Sequence, residues 1–435
     1  MQQPFRSSAV VAGSDEKDGA VKDIRRRLNG FLAQAGRWDK LMRSTVRLKT
    51  SGLAPDPASA QASHLRDVSD FGSNPGALRM FTYVPPQAPE GCPLVVVLHG
   101  CTQTAAGYDR GAGWSTLAER FGFALLLPEQ QRANNPNGCF NWFQTGDIER
   151  GDGEALSIRQ MVGKMIADHR LDPARVFVTG LSAGGAMTSV MLATYPEVFA
   201  GGAIIAGLPY GAASNVQQAF ETMYKCPPRS APAWGELVRR ASPCKGPWPR
   251  VSVWHGGADA TVIPANANEI LKQWTDVHGL PGTPSGHAIV DGYPREVWVN
   301  ETGSEVIESY TIPHMAHGTP LATGDADDQC GAAGAFLVEV GISSSYHIAK
   351  FFGLTRAGAR SAASRTVDAP MPVAGQRQLG IAAHEAVRPR GDSQPLEGEV
   401  LDRESEMPPN MPPPSSIDVG AIITRALKAA GLMKG

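Results

Sequence analysis

Gly180-Leu181-Ser182-Ala183-Gly184 constrains the fold of this chain more than any other stretch, because of what flanks it. It follows Arg175-Val176-Phe177-Val178-Thr179, a short β-branched and aromatic run, and precedes Gly185–Ala193, a run of mostly small and apolar residues. That order reads as strand, sharp turn, helix. It is the setting in which a G-x-S-x-G pentapeptide holds a serine hydroxyl above the edge of a sheet. The two glycines let the backbone turn tightly and pass close to the helix. The alternative, a Gly-rich turn with an idle serine, loses ground once the partners of Ser182 are counted.

Between about residue 65 and residue 354 the chain alternates strand and helix signals. Arg79–Val84 is a strand stopped by Pro85-Pro86, and Leu94–Leu98 is the unbroken apolar run that a strand buried on both faces needs. Ala124–Leu127 before Pro128, Arg175–Thr179, Ala203–Ala206 and Arg250–Trp254 repeat the pattern, and Ser304–Ile312 is strand-like as well. Ser157–His169 and Ala265–His278 carry helical periodicity between them. Such alternation predicts an α/β fold, a mostly parallel sheet with helices on both faces. Ligands of such sheets bind beyond the carboxyl ends of the strands. Ser182, the His99-Gly100 turn and the His255-Gly256-Gly257 turn all fall at that edge.

Both ends read as peripheral extensions. Residues 1–60 hold one stretch, Val21–Met42, with Ile24, Leu28, Phe31, Leu32 and Ala35 at helical spacing. Arg25-Arg26-Arg27, Arg37, Lys40, Arg43, Arg47 and Lys49 make that region basic, which a solvated helix face explains more simply than a site for an anionic partner. Residues 353–435 contain no Phe, Trp, Tyr or Cys and include Pro408-Pro409 and Pro412-Pro413-Pro414, the composition of an extended linker. Within them Ile417–Lys434 puts Val419, Ile422, Ile423, Ala426, Leu427 and Ala430 on one stripe. Docking onto the main domain or a partner subunit suits it better than a membrane surface, since only Arg425, Lys428 and Lys434 are basic. The expected organisation is a 1–60 extension, a 61–354 domain, and a 355–435 linker with a terminal helix.

Charge and cysteine usage narrow the class. With 40 Lys+Arg against 42 Asp+Glu and a sequence pI near 6.6, the chain lacks the electrostatic footprint of a nucleic-acid or anionic-surface binder. No apolar run approaches the ~20 residues that span a bilayer. Met1–Gly13 has no sustained apolar core of a signal peptide. The six cysteines, at 92, 101, 139, 226, 244 and 330, form no C-x-x-C pair, so no metal site is expected. Cys226 and Cys244 bracket a Pro-rich loop that a bond between them would close, and Cys101 and Cys139 lie in loops after predicted strands. Disulfides suit a secreted protein and scattered thiols a cytosolic one, so cysteines and N-terminus point to different compartments.

Serine is a weak nucleophile at neutral pH and needs a base that a third group orients. Where a serine sits at such an elbow, the acid and then the histidine follow it along the chain. Asp259 comes after the strand Arg250–Trp254 in a Gly-rich turn that can aim a carboxylate sideways. Asp276 and Asp291 are fallback choices, neither following a strand so cleanly. Pro313–Pro320 supplies the base after the last strand-like segment, with His317 preferred and His314 the competitor. His317 would take the Ser182 proton while Asp259 fixes its tautomer. A tetrahedral intermediate needs pre-placed N–H donors. One is Ala183, after the nucleophile; the other comes from Leu98–Gln103, with Cys101 first and Gly100 second. A thiol nucleophile at Cys101 is a further alternative. His99 and His255 precede glycines at strand ends and read as structural, His99 supporting the oxyanion loop. With no G-x-G-x-x-G and no metal-spaced cluster, no cofactor is expected.

These segments together resemble the polyhydroxyalkanoate (PHB) depolymerase family of α/β-hydrolase esterases, which includes feruloyl-esterase-like members. The resemblance rests on Leu98–Gln103, Leu127–Gln130, Asn135–Phe143, Gly180–Ala186, His255–Val262 and His317–Pro320, and spans about 65 to 354. It implies Ser182 as nucleophile, Asp259 as acid and His317 as base, and places Cys101 in the oxyanion loop with a disulfide to Cys139. It also implies substrate-binding parts for Gln103 and for Trp142, whose ring would wall the ester unless it is plain core packing. The activity implied is that of a serine carboxylester hydrolase acting through an acyl-enzyme on a short-chain polyhydroxyalkanoate polyester or its oligomers. A feruloyl or acetyl-xylan esterase would use the same machinery. Secreted, polymer-degrading members usually carry a signal peptide and a polymer-adhering domain, and the resemblance favours an extracellular location. Rigid aromatic faces suit such adhesion, and the aromatic-free 353–435 segment departs from that pattern. A non-catalytic granule- or partner-binding protein on the same scaffold is expected to have lost a triad position, and none is lost. Oligomeric state and acyl-chain preference stay open.

Overall fold

The computed structural model describes residues 64–355; the helices expected within 21–42 and 417–434, and the linker beyond 355, lie outside the described residues. At the centre is a ten-stranded sheet. Its order is β1 (Arg66–Val68), β2 (Arg79–Tyr83), β4 (Ala124–Glu129), β3 (Leu94–Leu98), β5 (Val176–Leu181), β6 (Gly201–Ile205), β7 (Arg250–Gly256), β10 (Glu305–Ile312), β9 (Tyr293–Val299) and β8 (Gly286–Val290). The strands from β4 across to β10 run parallel, whereas β1 and β2 at one edge and β9 and β8 at the other are antiparallel.

The apolar run of β3 shows why the middle of the sheet reads so plainly. Side chains alternate across a strand, so Leu94, Val96 and Leu98 enter one apolar layer while Val95 and Val97 enter the other. Both layers are apolar, and both need covering. The first is covered by α4 (Gly153–His169), α5 (Ala183–Thr194), α7 (Ala231–Ala241) and α8 (Ala265–Val277), with the short α3 (Thr145–Ile148) and α6 (Val216–Lys225) beside them. The second is covered by α1 (Ala105–Ala112), α2 (Trp114–Phe121) and α9 (Ser344–Phe351). Helix α5 is buried along its whole length, which is what its small and apolar composition allows.

Several boundaries move for local reasons. β5 runs past Thr179 because Gly180 and Leu181 pair with Ile204 and Ile205, delivering Ser182 directly from the strand. β4 continues through Pro128, where β3 has already stopped pairing at Leu126, so on that side the missing N–H forfeits no ladder bond. The hairpin β8–β9 and a small parallel pair, β11 (Thr319–Leu321) with β12 (Leu337–Glu339), are additions to the predicted elements. Asp291 and Gly292 form the hairpin turn, both at positive φ (48° and 84°), as a two-residue Asp-Gly turn requires.

Candidate active site

Three parallel strands, β5, β7 and β10, deliver the predicted residues to the carboxyl edge of the sheet. Ser182 follows β5 with φ 58° and ψ −114°, a conformation that a residue bearing a side chain holds only under constraint. The constraint is visible. Ser182 N donates to Ile205 O at 2.9 Å, and Ala186 N donates to Ser182 O at 2.8 Å to start α5. A Cβ on Gly180 would lie 2.5 Å from the backbone of Gly184, and one on Gly184 only 2.3 Å from Leu98 O. Those two glycines let the strand, the helix and the loop after β3 touch, with the serine left half-buried above them.

Asp259 and His317 meet in the structure. His317 Nδ1 lies 2.7 Å from Asp259 Oδ2, while Asp259 Oδ1 accepts from Thr261 N at 2.8 Å and Val262 N at 2.9 Å. The two loops are also joined through backbone: Gly257 N donates to Ile312 O at 2.8 Å and Ala258 N to Met315 O at 3.0 Å. Burial pushes the Asp259 carboxyl up, but hydrogen bonds and charge from His255 and His317 outweigh it and hold the group well below the usual carboxylate range. An ionised carboxylate only accepts, so His317 Nδ1 carries its proton and Nε2 is left as the acceptor facing away from Asp259. His255 is more than a turn residue. Its Nε2 lies 2.8 Å from Val262 O and 3.5 Å from Asp259 Oδ2, the same oxygen that meets His317.

The loop after β3 is held from below. Cys101 and Cys139 form a disulfide, which leaves no free thiol at 101 for the alternative nucleophile. Gly100 N donates to Gln103 Oε1 at 2.8 Å and Thr102 N to Asn137 O at 2.7 Å. Gly100, the second choice of oxyanion donor, is thus engaged, whereas among the described residues no hydrogen bond occupies Cys101 N–H. Ala183 N–H opens α5 and has no intrahelical acceptor. His99 is buried and its ring is kept neutral by that burial. It accepts Gln130 N at Nε2 (3.1 Å), so Nδ1 is the donor to Gly100 O at 2.8 Å. Gln130 in turn donates to Cys139 O at 3.1 Å and to Glu154 Oε1 at 2.5 Å, and Glu154 Oε2 accepts Asn141 N at 2.9 Å. Glu154 is fully buried, and its carboxyl is pushed well above the usual range by burial and by the charge of Asp147.

The remaining predicted residues take these positions. Trp142 is 6% exposed and packs in the core against Phe143. Gln103 braces Gly100 and lines a polar recess of about 290 Å³ with Thr102, Glu129, Arg132 and Gly138. His314 is exposed. Asp276 is ion-paired to Arg239, and Asp291 lies in the hairpin turn bonded to His347. Cys226 and Cys244 are free thiols, not a pair. No group of three or more His, Cys, Asp or Glu suited to a metal occurs among the described residues, nor any helix long and apolar enough to cross a membrane. Gln130, Glu154 and His255 were not singled out as contributors. Gln130 and His255 lie within segments that carry the resemblance; the bond from Gln130 to the distant Glu154 has no signature along the chain, and the partners of His255 lie in its own turn, at Asp259 and Val262.

The sheet order, the elbow and the Asp–His pair at strand ends are those of an α/β-hydrolase. The model of the family described as "Esterase PHB depolymerase" matches residues 78–290. The chain is 51% identical over 298 residues to poly(3-hydroxyalkanoate) depolymerase C of Paucimonas lemoignei, covering 68% of this chain and 72% of that protein. It is 34% identical over 284 residues to an acetylxylan esterase of Coprinopsis cinerea (62% and 72% covered), and 33% over 310 residues to feruloyl esterase B of Neurospora crassa (70% and 97%). Among solved structures, the acetyl xylan esterase from Aspergillus awamori superposes with a TM-score of 0.56 at 26% identity, covering 67% of this chain and 99% of that one. The chain belongs to the Esterase PHB depolymerase family and is a carboxylester hydrolase.

Proposed function

We propose that the chain is a serine esterase that works through an acyl-enzyme on short-chain polyhydroxyalkanoate polyester or its oligomers. The observation that carries the mechanism is the 2.7 Å bond from His317 to an Asp259 held ionised, on the same sheet edge as the strained Ser182. His317 Nε2 takes the Ser182 proton as Oγ bonds to the ester carbonyl carbon. The oxygen that becomes negative is met by the N–H groups of Cys101 and Ala183. Collapse breaks the bond to the alcohol oxygen, which leaves with the proton from His317, and water then repeats the sequence to release the acid. Gln103 and Trp142 enter this reading as residues that shape the walls of the site.

The polyester substrate is supported by the 51% identity to a protein named for that activity. An acetyl-xylan or feruloyl ester is the second reading, supported by the relatives at 33–34% identity and by the superposed acetyl xylan esterase. Acid release from amorphous poly(3-hydroxybutyrate), its soluble oligomers, acetylated xylan and methyl ferulate, each with wild type and Ser182→Ala, tests both. Release from polyester or oligomers that vanishes in Ser182→Ala is the expected result. Release confined to xylan or ferulate would keep the mechanism and replace the substrate.

A further inference from the structure

Phe336 and Ile289 are the large apolar side chains that stay exposed among the described residues, Phe336 at 40%. Phe336 also has φ 61°. For a bulky aromatic residue that conformation is an outlier and persists only where the surroundings fix it. Here they do. Phe336 O accepts Thr319 N at 2.9 Å, Leu337 pairs with Thr319 across β11–β12, and Leu337 exchanges two backbone hydrogen bonds with Gly334. A Cβ on Gly318 would lie 2.9 Å from Phe336 O, so the residue after His317 admits this approach by having none. The segment leaving His317 is therefore tied to the backbone of Phe336. The Phe336 ring stands at 75° to the His317 imidazole with centroids 5.9 Å apart, and the residue stays partly open to solvent.

An apolar ring of this size is worth burying; a strained backbone that holds it out beside the base points to something that covers it during turnover. We propose that Phe336 is a specificity residue whose ring is the apolar wall for the alcohol side of the bound ester. The proposal rests on the esterase reading of Ser182, Asp259 and His317, and the chemistry of that reading fixes the side. The base returns its proton to the leaving alkoxide oxygen, so a group packed against the imidazole lies next to the departing alcohol. The acyl group stays bonded to Ser182, its oxygen at the Cys101 and Ala183 N–H groups. In a hydroxyalkanoate oligomer the alcohol side is itself an alkyl-bearing hydroxyacid unit, which gives the ring an apolar partner.

The test compares kcat/KM of the full chain for methyl acetate, n-butyl acetate and methyl butyrate in wild type, Ser182→Ala, Phe336→Ala and Phe336→Gly. Glycine accepts the left-handed backbone without strain, so a change common to the Ala and Gly variants belongs to the ring. The expected result is a fall of roughly tenfold in the butyl acetate to methyl acetate ratio, the scale set by a few methylenes in an apolar pocket, with the methyl butyrate to methyl acetate ratio within about twofold of wild type. Equal losses on both acetates, or a loss that tracks the acyl chain, overturn the wall and leave the esterase reading standing. Turnover that survives in Ser182→Ala overturns the esterase reading, and the wall with it. Should both small variants fail to fold, Phe336→Leu replaces them: an intermediate ratio supports the wall, and a wild-type ratio overturns it.

Discussion

The two halves of the site are held by different forces. Around Ser182 the restraint is steric: Gly180 and Gly184 bring three backbone segments into contact, and α5 is buried throughout. Around Asp259 and His317 it is polar: one carboxylate takes hydrogen bonds from two backbone N–H groups and one imidazole, with a second imidazole beside it. The glycines and serine of the steric half are neighbours in sequence, although they press on the distant Leu98–His99 backbone, whereas the polar half joins residues 58 positions apart. A close-packed elbow tolerates no added atom. A hydrogen-bonded pair tolerates isosteric replacement structurally but not chemically. Substitutions should therefore separate stability from activity between the halves.

The largest effect is expected at Asp259→Asn. The amide oxygen can still accept from Thr261 and Val262, so the fold should hold. The amide cannot keep the neighbouring imidazole in the right tautomer, and kcat should fall on the order of 10⁴-fold, while the cooperative fold is kept and Tm near neutral pH falls only by the stability that the ionised carboxylate contributes. Steady-state kinetics and thermal melts on the same preparation measure both. A large loss of Tm would mean that the polar half is structural after all.

Gly184→Ala should behave in the opposite way. The new methyl group would sit 2.3 Å from Leu98 O and 2.6 Å from His99 O, both backbone atoms that cannot swing aside. A loss of about 3 kcal/mol or more in urea unfolding is expected, because relief requires separating α5 from the loop after β3. Unchanged stability would break the steric half of the comparison.

A smaller effect separates the halves by pH. Because the folded state holds Asp259 below its ordinary value of 3.8, it binds that proton more weakly than the unfolded chain does. The stability this group contributes is thus fully present above the ordinary carboxylate range and is lost as pH falls through it toward the depressed folded value. Melting temperatures between about pH 5 and pH 3 should fall less steeply in Asp259→Asn than in wild type. Parallel slopes would show that the depressed carboxylate carries no linkage to folding.

The same contrast explains what could be read from the chain. The parallel strands were legible because burial on both faces writes itself as continuous apolar runs such as Leu94–Leu98. The elbow was legible because its glycines and serine are contiguous. The meeting of His317 with Asp259 was legible from order and strand ends, and the structure places His314 at the surface and Asp276 with Arg239. The brace of Gln130, Glu154 and Asn141 under the Cys101–Cys139 loop was not, since a hydrogen bond between distant polar residues leaves no periodic mark. The β8–β9 hairpin did carry a signal, the Asp291-Gly292 turn, but its strands are only partly buried, so the apolar alternation that would frame the turn is weak.

That hairpin supplies the smallest prediction and the sharpest control. Ile289 is 72% exposed on the edge strand β8, which pairs with β9 alone, opposite Pro294. Exposed apolar side chains scattered singly need no function to explain them. Ile289→Thr keeps the β-branched shape that an edge strand accepts, so stability should stay within about 0.5 kcal/mol and the butyl-to-methyl acetate ratio should not move. Exposure alone is common to Ile289 and Phe336; the left-handed backbone and the imidazole at 5.9 Å belong to Phe336 alone of the pair. If Ile289→Thr shifted ester selectivity as Phe336→Ala is expected to, surface apolarity in general would account for the preference, and the position of the ring beside His317 would lose its meaning.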